Sequence, residues 1–160
     1  MASMFENPPG NSAAWILALD DALRAAVGER ELVYLIETPI LLEAPLSPPY
    51  CRQVLVWNEN LLPAMDLAAY LRPGKPVRRA QTLAGVFAYQ AEPDALPAYG
   101  ALLLAGIPER TRVADDHACP LPKQPAGWRT LAISCFRRGD DPIPVLDLPH
   151  LFTGGLLATV

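Results

Sequence analysis

Apolar positions along this chain fall into short runs separated by turn-forming and proline-bearing stretches. After ten residues that read as a flexible tail, Trp15, Ile16, Leu19, Leu23, Ala26 and Val27 recur at helical spacing. Asp20, Asp21 and Arg24 fall towards the other side. Asn11 or Ser12 is available as N-cap, and Gly28 as a left-handed terminator. The pattern predicts one N-terminal amphipathic helix over 12–27. Such a helix either covers the open end of a sheet or docks a partner.

From Glu31 the period changes. Leu32, Val33, Tyr34, Leu35 and Ile36 are apolar without a break and predict a short buried strand. Residues 39–50 carry four prolines and read as an irregular crossing. Val54 to Trp57 predicts a strand, Asn58-Glu59-Asn60 a turn, and Leu61 to Met65 a second arm. Pro63 lacks an N–H and places that arm at an edge or bulge. Asp66 caps a short helix over 67–71, which stops at Arg72-Pro73-Gly74. Further strands are expected over 82–89, 99–107, 130–136 and 143–146, with a brief pairing at Arg112-Val113. Residues 115–128 form a polar, proline-rich connection, and 137–141 a turn in which Gly139 supplies positive φ. Asp147 caps a last helical turn over 148–152, and 153–160 is an apolar tail.

Two segments repeat one plan. Val54 to Trp57, a polar turn, Pro63-Ala64-Met65-Asp66-Leu67 and a helical turn are echoed by Ile133 to Phe136, a turn, Pro144-Val145-Leu146-Asp147-Leu148 and a helical turn. The shared P-x-x-D-L puts an acceptor at the free N–H groups of each short helix. A structural duplication follows, with two small β lobes in a single domain over 11–152.

Composition sharpens this picture. Eighteen of 160 residues are proline, about twice the usual share, which disfavours long helices and central strands. With 51% hydrophobic and 19% charged residues the chain is neither disordered nor a coiled coil. The net charge of −4, with no basic stripe, argues against a nucleic-acid partner. No apolar run reaches the ~18–20 residues of a membrane span. No basic residue precedes Arg24, so no secretory leader is expected. Three cysteines without a C-x-x-C fit reduced thiols in a cytoplasmic setting.

Candidate chemistry is sparse. Asp115, Asp116, His117 and Cys119 are the densest group of metal-ligand types, but no second pair completes a zinc set. His117 and Cys119 as base and thiol lack an orienting group. Asp66 and Asp147 are explained as helix caps, and His150 as a residue of the last helical turn favoured by its dipole. There is no phosphate loop, G-x-S-x-G or H-E-x-x-H. No catalytic residue, metal or cofactor is therefore expected. Trp57 reads either as a core residue or as an interface anchor beside the exposed turn.

The stretch 31–71 resembles the CheW-like domain, the adaptor module of bacterial chemosensory arrays. The likeness rests on Leu35-Ile36-Glu37-Thr38, the crossing Ser47 to Val54, and above all the arm Leu61-Leu62-Pro63-Ala64-Met65-Asp66-Leu67. The later strand Tyr99 to Glu109 and the closing Val145 to Phe152 are similar to the family's second half. The resemblance implies a mainly β fold of two SH3-like barrels. It also implies a non-catalytic scaffold that links a histidine kinase regulatory domain to a chemoreceptor. A relative working in pilus or twitching motility is one alternative; a small-ligand or enzyme module on a two-lobed β scaffold is another. The family's turn Arg-Gly is replaced here by Asn58-Glu59, and its Gly before the first motif strand by Gln53. A cation on the contact patch has become neutral to acidic. The resemblance makes Glu37, Trp57, Asn58, Glu59 and Asn60 the partner-binding candidates.

Overall fold

The computed structural model describes residues 11–155. The expected tail 1–10 and the last residues, 156–160, lie outside them. The chain order is β1 (Asn11–Ala18), β2 (Arg24–Gly28), β3 (Leu32–Ile36), β4 (Leu41–Glu43), β5 (Gln53–Trp57), β6 (Asn60–Met65) and α1 (Leu67–Leu71). Then come β7 (Leu83–Tyr89), β8 (Ala98–Leu104), β9 (Glu109–Ala114), α2 (Trp128–Leu131), β10 (Ala132–Arg138), β11 (Asp141–Leu146) and α3 (Leu148–His150). A wide turn, Leu151–Gly155, follows.

The fold is mainly β and has two lobes. One sheet has five strands in the order β10-β11-β2-β1-β9; the other has six, β3-β7-β8-β6-β5-β4. Both lobes use one pairing scheme. In the larger lobe β3/β7, β7/β8 and β6/β5 are antiparallel, and β6/β8 is parallel. In the smaller lobe β9/β1, β1/β2 and β11/β10 are antiparallel, and β11/β2 is parallel. Each lobe contains one copy of the repeated motif. The register aligns the copies through their turns, so that Val54 opposite Pro63 corresponds to Cys135 opposite Pro144. That is two residues away from the strand alignment read off the sequence.

The prolines obey the ladder. Pro63 and Pro144 stand at positions that, counted from the two-residue turns, need no N–H towards the neighbouring arm. Each lies one residue before the parallel pairing begins, at Ala64↔Ala101 and Val145↔Ala26. β6 is therefore an interior strand and not the edge that Pro63 suggested. Both caps form as expected: Asp66 Oδ1 accepts from Ala69 N–H at 3.1 Å, and Asp147 Oδ1 from His150 N–H at 3.2 Å.

The N-terminal helix over 12–27 is not formed; that segment is the hairpin β1–β2. Leu17, Leu19, Ala25 and Val27 face the core between the lobes, while Ile16 and Ala26 face the interior of the smaller lobe. Two central strands buried on both faces give a run whose spacing also satisfies a helix. Asp20 decides between the two. Its buried carboxylate accepts from Ala22 and Leu23 N–H and makes the turn. Gly28 ends β2 opposite Ala14 instead of terminating a helix.

Other boundaries move too. β3 is an edge strand, with Tyr34 57% exposed, and is not buried on both faces. Leu41–Glu43 forms a strand inside the expected crossing. The brief pairing at Arg112-Val113 is a six-residue strand along β1. Residues 128–131 are helical where a strand was expected to begin.

One apolar core joins the lobes, with Leu17 and Val27 from the smaller lobe meeting Met65, Phe87 and Leu102 from the larger. Arg79 ties them further. Its guanidinium binds Asp66 through two hydrogen bonds of 2.8 and 3.1 Å, and its Nε donates to Leu19 C=O at 2.8 Å.

Candidate functional site: an apolar sheet face with a non-glycine turn

The β5–β6 hairpin closes at Trp57↔Asn60, so its loop is Asn58-Glu59. Both loop residues have positive φ, 49° and 63°. This is the type I′ pattern, whose twist matches that of the strands. Asn accepts such a conformation readily; Glu has a Cβ that opposes it by about 1–2 kcal/mol. Asn60 Nδ2 donates to Asn58 C=O at 3.0 Å across the turn. Asn58, Glu59 and Asn60 are all exposed.

Trp57 is half-buried. It packs on the interior cluster of the larger lobe and against Tyr99 of β8, ring centroids 5.4 Å apart. Trp57 thus packs as a core residue at the border of the exposed turn. Glu37 is not on the hairpin. It is exposed in the link 37–40 that joins edge strands β3 and β4. The link reaches the hairpin through Ile40, whose C=O accepts from Val56 N–H at 3.0 Å. The structure thus brings four of the five candidates together and sets Glu37 apart.

The largest feature of this region was missed from the sequence. Leu41, Leu55 and Leu62 point inwards in register. Their neighbours point outwards. Leu42, Val54 and Pro63 form one row across three strands; Ile40, Val56 and Leu61 form the next. Ile40 and Leu61 are each 62% exposed and Leu42 47%. A contiguous apolar face of this kind is a candidate interaction surface. Glu37 on the link and Glu59 at the turn border this face at one end, and exposed Arg52, two residues before Val54, borders it at the other. The doublets Leu41-Leu42 and Leu61-Leu62 carried the signal: on a strand, one member of each must face out.

Two of the candidate ligands of 115–119 are engaged otherwise. His117 Nδ1 accepts from Ala114 N–H at 3.2 Å, and Cys119 lies against Cys135. Among the described residues, no group of three or more His, Cys, Asp or Glu converges as a metal site would require.

No protein-family model matches the chain, and no curated protein matches it in sequence. The solved structures do contain its fold. The scaffolding protein TtCheW from Thermoanaerobacter tengcongensis superposes with a TM-score of 0.68 at 11% identity, over 88% of this chain and 92% of that one. The architecture is therefore the CheW-like fold, reached by a divergent sequence. No helix among the described residues is long and apolar enough to cross a membrane.

Proposed function

We propose that this chain is a non-catalytic adaptor of a chemosensory signal-transduction pathway. In this reading it works in the cytoplasm and joins a histidine kinase regulatory domain, itself CheW-like, to a chemoreceptor or a related partner. One observation carries the reading: a fold shared over 88% of the chain with a scaffolding protein. The apolar face of β4, β5 and β6 supports it, because an adaptor acts by burying area against partners. Glu37, Trp57, Asn58, Glu59 and Asn60 are the proposed contacts around it.

The acidic turn favours a dedicated partner over a general one. A kinase domain shaped for a cation at this turn meets Asn58 instead, with the acid of Glu59 beside it. Reversing a buried interfacial charge costs about 2–5 kcal/mol, or about 30- to 4000-fold in affinity. That favours a kinase of a specialised pathway, such as pilus or twitching motility. The test is titration of the protein against the regulatory domains of both kinds of kinase. The dedicated domain is expected to bind tightly and to weaken at least tenfold with Trp57→Ala. Glu59→Arg is expected to gain affinity for the general domain. Equal affinity for both domains, unmoved by either substitution, would refute the dedicated-partner reading. Binding to neither would refute the adaptor reading itself.

A further inference from the structure

The smaller lobe has an incomplete seam. Its sheet runs from β10 to β9, and these two edges are not paired as strands. The chain leaving β9 crosses the gap. Ala118 bridges to Phe136 of β10, and Cys119 N–H donates to Cys135 C=O at 3.1 Å. An Arg138–Glu109 ion pair spans the same gap on the surface. Beside these contacts the seam stays open as a crevice of about 180 Å³, lined in part by Val113, Ala118, Cys135 and Phe136.

Cys119 and Cys135 lie across this seam with their sulfurs 3.3 Å apart. The bridge register makes them direct neighbours on antiparallel segments. Directly opposed residues have Cα atoms about 4.5–5.5 Å apart, within the range a disulfide spans. The sulfurs have only to close from 3.3 Å to the ~2.05 Å of a disulfide. Cys51 belongs to the short turn Pro49–Cys51, away from this seam.

We propose that Cys119 and Cys135 are a modification site: hydrogen peroxide converts them to an intrachain disulfide that staples the smaller lobe shut. Cys119 is the more exposed sulfur and reacts first. Its thiolate attacks one peroxide oxygen, the O–O bond breaks, and water leaves with the proton released by the thiol. The sulfenic acid at Cys119 is then attacked by Cys135 Sγ. The S–S bond forms as the S–O bond breaks, and hydroxide leaves as water with the Cys135 proton. Two thiols and one peroxide give one disulfide and two waters, a two-electron oxidation of sulfur. Cys135 is placed for the second step by position, its sulfur lying 3.3 Å from that of Cys119. The proposal is independent of the adaptor reading.

The test uses the whole chain, reduced and then treated with hydrogen peroxide. Non-reducing tryptic mapping is expected to show the Cys119 and Cys135 peptides linked, with the loss of two hydrogens, and to release them with dithiothreitol. The link is expected to survive in Cys51→Ser and to vanish in Cys119→Ser. Closing a loop of this length in the unfolded chain should raise Tm by about 5–10 °C. A linkage through Cys51 or between chains, or no linkage at all, would overturn the proposal. So would an oxidised form with the 119–135 link whose Tm is no higher than that of the reduced form.

Discussion

The two lobes share a strand order, a parallel pairing, a proline position and an Asp cap, yet they treat their outer faces in opposite ways. In the larger lobe the position beyond β5 is held by β4, and Leu42 lies beside Val54 on an uncovered apolar face. In the smaller lobe the matching position beyond β10 is reduced to Ala118-Cys119, and Cys119 lies beside Cys135. Cys135 is only 5% exposed, and the next row outwards is Arg137 and Pro142. One scaffold thus yields a seam closed over Cys135 and, among the described residues, an apolar face left exposed at Leu42 and Leu61. The difference comes from a few residues at the sheet edge and not from the pairing scheme. Edge treatment, rather than fold, is what distinguishes the two lobes.

The strongest way to break the comparison is at the two caps. Asp66 and Asp147 both hold a helix N-terminus, but only Asp66 also binds Arg79, whose side chain is 7% exposed. Asp147→Ala should cost about 1 kcal/mol, the value of a cap. Asp66→Ala also strands a nearly buried guanidinium, and should cost about 3–5 kcal/mol. Urea unfolding of both variants measures the gap. Equal losses would mean that the Arg79 pair adds nothing beyond the cap.

A smaller effect is expected where the lobes press together at Gly100. A Cβ there would lie 2.4 Å from the Phe152 ring, which is itself stacked on Tyr89. The ring has little room to yield, so Gly100→Ala should cost about 1–3 kcal/mol. Unfolding of Gly100→Ala combined with Phe152→Leu, which removes the ring edge, should show part of that cost recovered.

The hairpin turns come next. The smaller lobe places Gly139 at φ 63°, where the larger places Asn58 and Glu59 at positive φ. Glu59→Gly should therefore stabilise by about 1 kcal/mol, and Gly139→Ala should destabilise by about 1 kcal/mol. If Glu59→Gly leaves thermal stability unchanged while weakening partner binding, its carboxylate rather than its backbone is what the turn provides.

These sites differ in how legible they were. The caps, the turns and the duplication were readable because each depends on a few neighbouring residues with fixed preferences. The β1–β2 hairpin was not, because strands buried on both faces erase the alternation that would reveal them. The apolar face of β4, β5 and β6 needed the register of three strands to align Leu42, Val54 and Pro63. Tyr99 beside Trp57, Arg79 on Asp66 and Cys119 on Cys135 are each pairings across 13 to 42 residues of chain, which no local pattern reports. Glu37 was marked by resemblance alone, and the structure gives it a separate place from the hairpin.

The finest distinction between the lobes lies at the crossing that joins them. Glu31 stands between β2 of the smaller lobe and β3 of the larger. Its Oε1 accepts from Gly28 N–H at 2.7 Å, and its backbone C=O accepts from Ala88 N–H at 2.9 Å. Burial raises its carboxyl above the usual 4.5; the Gly28 N–H opposes this, and the charge of Asp147 adds to the rise. A carboxyl whose folded pKa is raised favours folding when protonated. Its contribution is full below pH 4.5 and is lost as pH rises through the folded pKa. At neutral pH the charge on Glu31 is therefore a small burden on the crossing. Glu31→Gln keeps an oxygen for Gly28 N–H and removes that charge. Tm at pH 7 should rise by less than about 4 °C. The advantage over the parent should shrink as pH falls and vanish below 4.5. Thermal melts of both proteins across that range provide the check. A Gln variant that is less stable at pH 7, with the pH dependence of the parent, would show that the charged hydrogen bond to Gly28 outweighs burial and that the crossing is held by the carboxylate.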